Sequence, residues 1–167
     1  MNHIPIPVIF FLIFITLTVL LNYLHNKKAA QYHQIIKEEL RQNAIEFDAT
    51  GWLKAETSRI GRKINDGIAM AKCEMLVTND AVIILGKTLL NINSNPIIFT
   101  KNVEYAKRFA FAKTVMPNKI DLDPLANTIY FEFGEATFKN YRFTIRIHNV
   151  DNEFKNKIAL AFKTPHL

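Results

Sequence analysis

The chain has 167 residues, 49% of them hydrophobic, with 21 Lys and Arg against 15 Asp and Glu and a formal charge of +6. A single cysteine, Cys73, rules out an intrachain disulfide and agrees with a reducing compartment. Five dispersed glycines leave no glycine-rich phosphate loop.

Residues 4–24, IPIPVIFFLIFITLTVLLNYL, carry no charge, and Asn22 is their only strongly polar side chain. About twenty residues at roughly 1.5 Å each make about 30 Å of helix, the thickness of a hydrocarbon core. A helix satisfies its own backbone there, so the run is read as an uncleaved transmembrane anchor within residues 1–26. Pro5 and Pro7 cost little at its start, where first-turn N–H groups lack partners anyway. A cleaved signal peptide would need a basic leader and small residues at the cut. Met1-Asn2-His3 holds no Lys or Arg, and Tyr23, Leu24, His25 and Asn26 are not small. Lys27 and Lys28 follow the span and no basic residue precedes it. That bias puts the N-terminus outside the cell membrane and the C-terminal domain in the cytoplasm.

About 143 residues follow Leu24, enough for one domain with a core of its own. Residues 27–44 are expected to form a juxtamembrane linking helix, rich in Ala, Gln, Glu, Lys and Leu and free of Gly and Pro. Tyr32, Ile36 and Leu40 recur at i+4 and give it one narrow apolar stripe. The stripe is a candidate partner-binding surface, with docking on its own domain the simpler reading. Residues 45–64 read two ways, as a strand with Trp52 inward or as a short helix aligning Leu53, Ile60 and Ile64. Asn65-Asp66-Gly67 is a turn.

Beyond it the pattern is β. Residues 68–77 and the AVIIL run at 81–85 flank a turn at Asn79-Asp80 and make a hairpin. A loop at 91–96 leads to a short strand at 97–100. Residues 103–112 fit either helix or strand, and strand resumes over 113–123 with a break at Pro117. Asp123-Pro124 begins a turn. TIYFEF (128–133) and YRFTIRIH (141–148) alternate cleanly, with Gly134 at the start of the turn between them, and form a second hairpin. Asp151 caps a closing amphipathic helix with Phe154, Ile158, Ala161 and Phe162 on one face, and Pro165 stops it. The fold class is therefore α+β, mainly antiparallel: an N-terminal transmembrane helix, a short linking helix and a β-rich domain over 45–167. That domain is expected to be a bent sheet or partly open barrel with a C-terminal amphipathic helix.

CEMLVTNDAVIILGK (73–87), YRFTIRIHN (141–149) and the helix bearing Phe154, Ile158 and Phe162 together resemble the pleckstrin-homology (PH) superfold, including its GRAM-type and bacterial PH-like branches. The likeness covers roughly residues 51–163. The Trp usual in the family's closing helix is missing, since the only Trp is Trp52. The resemblance implies that basic residues near the first strand–loop–strand hold anionic lipid headgroups, which points to Lys54, Arg59, Arg62 and Lys63. The family's alternating basic pattern is not reproduced there, because Ile60 and Gly61 separate Arg59 from Arg62. The bland alternative is a solvated face.

Other constellations point to no chemistry. Cys73 lies in a strand without a base nearby in sequence, and His25, His33, His148 and His166 show no metal-ligand spacing. No metal or other cofactor is expected. Tyr105, Lys107, Arg108, Phe109 and Phe111 are read as core and flank rather than as a nucleic-acid platform. Tyr130 and Tyr141 with Arg142 and Arg146 suit a protein-facing sheet surface. The expectation is a non-enzymatic, single-pass, membrane-tethered binding or scaffolding module. The alternatives are a peripheral sensor of anionic lipid and a small accessory subunit of a membrane protein complex.

Overall fold

The computed structural model describes residues 6–60, 69–123, 125–134 and 142–163. The Asn65-Asp66-Gly67 turn, Pro5, Pro124 and the Pro165 stop lie outside them. The anchor and the linking helix are one unbroken helix, α1 (Ile6–Gln42). Nothing between Leu24 and Ala29 breaks helix propensity, so the two expected helices fuse. At about 1.5 Å per residue it is about 55 Å long. It ends in a left-handed C-cap: Ala44 takes φ 52°, and the Ile45 N–H reaches back 2.9 Å to the Leu40 carbonyl.

Among the described residues nine strands follow: β1 (Asp48–Ala49), β2 (Leu53–Ile60), β3 (Lys72–Val77), β4 (Ala81–Lys87), β5 (Ile97–Thr100), β6 (Lys113–Val115), β7 (Lys119–Asp121), β8 (Thr128–Phe133) and β9 (Arg142–His148). Between β5 and β6 stands α2 (Val103–Arg108), and α3 (Asn152–Phe162) closes the described chain. Both expected hairpins are present, β3–β4 turning at Asn79-Asp80 and β8–β9 in full register from Thr128↔His148 to Phe133↔Phe143. The two open segments resolve in opposite senses, residues 53–60 as strand and 103–108 as helix. Asn102 caps α2 by accepting the Glu104 N–H. The expected Asp151 cap of α3 is also present, accepting from Phe154.

The strand order is β6-β5-β4-β3-β2-β9-β8-β7, with β1 on the flank of β3. All pairs are antiparallel except β5–β6. β2 is the corner of the sheet. Its first two residues pair with β3, and Ala55 to Ile60 pair with β9. The two outermost strands are joined by Met116, Pro117 and Asn118 alone. Laid flat, eight strands would hold them roughly 33 Å apart. Four Cα steps reach at most about 14 Å. The sheet must therefore curl, and it does so into a half-barrel. Phe99 of β5 stacks on Phe131 of β8 across the interior, with centroids 4.7 Å apart.

Alternation divides the core in two. Met75, Val77, Val82, Ile84, Phe99, Phe131, Phe143 and Ile145 face the interior, where Ile158 and Ala161 of α3 close it against β3 and β4. Leu76, Ala81, Ile83, Leu85 and Ile98 face outward and are covered by Ile36 and Leu40 of α1 and by Tyr105 and Phe109. This second layer explains why β4 is buried on both faces.

Candidate interaction surfaces

α1 meets the domain through one face on which polar and apolar groups alternate. Ala29, Ile36 and Leu40 have no exposed surface. The same face carries three polar ties. Asn26 Oδ1 accepts from the Asn93 backbone N–H at 2.9 Å and from Asn93 Nδ2 at 2.7 Å. His33 Nε2 donates to the Ser94 carbonyl at 2.9 Å. Lys37 Nζ forms an ion pair with Glu74, 2.8 Å from Oε2. Positions 26, 29, 33, 36, 37 and 40 follow the helical period, so a single face carries all six. Tyr32 is half-buried and stacks on Phe111 at 4.3 Å, with Lys28 Nζ 5.7 Å from its ring. The stripe of Tyr32, Ile36 and Leu40 thus packs within the chain, and the docking face is wider than its i+4 spacing suggested. Asn26, His33 and Lys37 escaped the sequence reading because their partners are 37 to 67 residues away.

The basic cluster is described in part. Lys54 is exposed and pairs with Glu56 at 2.9 Å. That hydrogen bond and charge hold the Glu56 carboxyl below its usual range. Arg59 stands opposite Phe143 in the β2–β9 register, and Arg62 and Lys63 lie outside the described residues.

The outer face of β7, β8 and β9 forms a polar cleft of about 490 Å³ lined by Lys119, Asp121, Thr128, Tyr130, Arg146 and His148. The Tyr130 hydroxyl donates to Glu132 Oε2 at 3.1 Å. Partial burial first, and then that carboxylate, push the phenol upward. Arg142 Nη1 lies 3.4 Å from Glu132. Glu56 Oε1 lies 3.3 Å from His148 Nε2, too poorly aimed for a hydrogen bond. Tyr141 is outside the described residues.

A second cleft, of about 580 Å³, opens beside Asp80, Asn102, Tyr105 and Arg108. Asp80 is spent within the chain. It accepts from the Tyr105 hydroxyl at 2.9 Å, from Thr78 at 3.2 Å and from Asn102 Nδ2 at 2.8 Å. Burial pushes the Tyr105 phenol to about 12. This network fastens the β3–β4 turn to the start of α2. Cys73 is fully buried in the barrel interior, and burial pushes its thiol to about 12. It is a thiol at neutral pH and not a nucleophile. Compared with family models, curated proteins and solved structures, the chain matches none.

Proposed function

We propose that the protein is a single-pass membrane protein whose PH-like cytoplasmic domain binds a protein partner and performs no catalysis itself. One observation carries this reading. The first half of α1 is apolar and none of its spanning stretch is buried in the chain, while the second half is sunk into the outer core layer. A contiguous apolar helix surface of that length is not left in water. Lys27 and Lys28, just past the apolar run, favour the cytoplasmic side for the domain.

The binding face we assign is the outer side of β7–β8–β9. α1 and α2 cover the outer side of β3–β5, and no described helix covers this one. It carries Tyr130, Arg142 and Arg146, residue types favoured at interfaces. The buried, protonated Cys73 and the internally satisfied Asp80 support a non-catalytic role.

Full-length protein with a C-terminal tag is expected to stay in membranes through alkaline carbonate, and its tag to resist protease applied from outside intact cells. Release by carbonate would remove the anchor, and external digestion of the tag would reverse the orientation. A photo-cross-linking residue in place of Arg146 should give one discrete adduct that disappears with Tyr130→Ala. A position outside this face, Lys101 between β5 and α2 and bonded to the Phe162 carbonyl, should not give it. Equal adducts from both positions would remove the assigned face.

A further inference from the structure

The loop of residues 88–92, between β4 and the Asn26–Asn93 clasp, has no part in the binding face just assigned. Leu89 and Leu90 are 92% and 81% exposed. They border an apolar cleft of about 630 Å³ shared with Met70 and Ile92. The loop closes on itself. Thr88 N–H donates to the Ile92 carbonyl at 2.9 Å, Asn91 N–H to the Thr88 carbonyl at 3.0 Å, and Asn91 sits at φ 63°. A closed turn holds the two leucines outward instead of letting them fold back.

Three contacts fix where the loop lies along α1. Lys37 meets Glu74, which is in register with Leu85. His33 meets Ser94, and Asn26 meets Asn93. From Leu85 to Asn93 the contacts thus climb eleven residues of helix, about 16 Å, toward the apolar half. Asn26 is two residues beyond the end of the apolar run, and the loop tip extends past the Lys87–Asn93 bridge. At the same end Trp52 is 45% exposed, with Lys87 Nζ 4.2 Å from its ring. Lys27 and Lys28 follow on the helix. Exposed leucines beside a half-exposed Trp and several lysines are what a lipid–water boundary accepts: apolar side chains inward, indole and ammonium at the headgroups.

We propose that residues 88–92 are a second membrane contact, with Leu89 and Leu90 immersed in the bilayer interface beside the exit of α1. The loop and the helix then hold the domain at two points, which sets its tilt on the bilayer. The proposal rests on the reading of α1 as a membrane span.

The test uses full-length protein in liposomes with a nitroxide on Leu90→Cys, and the same label on Leu125→Cys, a 94% exposed leucine on another turn. Cys73 has no exposed surface and does not compete for label. The label at 90 should be several-fold less accessible to a water-soluble relaxer than the label at 125, and more accessible to oxygen. Trp52, the only Trp, should be quenched by lipids brominated near the headgroup, and Leu89→Asp/Leu90→Asp should lower that quenching. Equal water accessibility at 90 and 125 in protein that resists carbonate would overturn the loop contact and leave the anchor standing. Protein that washes off the liposomes would overturn both.

Discussion

Gly86 sits where the end of β4 passes beneath Met70 and Ser94. A Cβ there would lie 2.5 Å from Met70 Sδ and 2.5 Å from Ser94 Oγ. Met70 can swing aside. The Ser94 backbone is held, because its N–H donates to the Gly86 carbonyl and its own carbonyl accepts from His33, so Oγ can move only by turning about χ1 within a buried site. Gly86→Ala is therefore expected to cost about 1–3 kcal/mol through overpacking. Gly51 has nothing within 4 Å of the same position, so Gly51→Ala should leave stability near the parent value. Thermal unfolding of both variants checks the pair, and equal melting temperatures would mean that the Met70–Ser94 contact yields freely. Lys155 shows the reverse of a cavity: a lysine only 3% exposed whose Nζ donates to the Asp123 and Ala126 carbonyls. Its position on the buried side of α3 looked ordinary in the sequence, because two backbone carbonyls some thirty residues away leave no local trace.

Among the elements, α1 is two helices in physical terms and one in geometry. Leu40→Ala should destabilise the domain by about 2–5 kcal/mol, since a fully buried leucine leaves a cavity in the outer layer. Leu20→Ala, on the exposed half, should change the domain's melting temperature little. Equal losses in detergent-solubilised protein would refute the division. The elements legible in advance were those with strong local patterns: the β3–β4 hairpin from two apolar runs about the Asn79-Asp80 turn, the β8–β9 hairpin from alternation, α3 from its cap and stripe. β2 was ambiguous because Lys54, Glu56, Ser58 and Arg59 give little apolar contrast to either period. The segment 103–112 was ambiguous because VEYAKRFAFA suits both, and the Asn102 cap decided it. Pro117 did mark a break in the strand or strand pair over 113–123, but nothing local says that the two halves belong at opposite edges of the sheet, or that β6 runs parallel to β5. The curl that places them is a property of the closed path. Of the candidate surfaces, Tyr130, Arg142 and Arg146 were visible as the outward residues of alternating strands. The Asn26–Asn93 clasp was not.

At the scale of the whole molecule, His33 on the face between helix and sheet couples stability to pH. Burial holds the His33 imidazole below its usual 6.5, helped by Lys37 and Lys87 and opposed by the Ser94 carbonyl and Glu74. The unfolded chain takes up this proton near 6.5 and the folded chain only at lower pH. The contribution is thus fully present above 6.5 and is lost as pH falls from there through the lowered folded value. Full-length protein in detergent should melt lower at about pH 5.5 than at about pH 7.5, and His33→Gln should shrink the difference. An unchanged difference would place the acid sensitivity elsewhere. The outer core layer also has an order in time. Ile36 and Leu40 leave the ribosome before every strand they cover, and at about 5–20 residues per second the 125 residues after Gln42 need roughly 6–25 s more. Under the proposed membrane insertion, the helix is held by its apolar half while Leu76, Ile83 and Ile98 are still being made. The helix that covers the outer face of β3–β5 thus precedes those strands in synthesis, so that face can be covered as soon as the strands form.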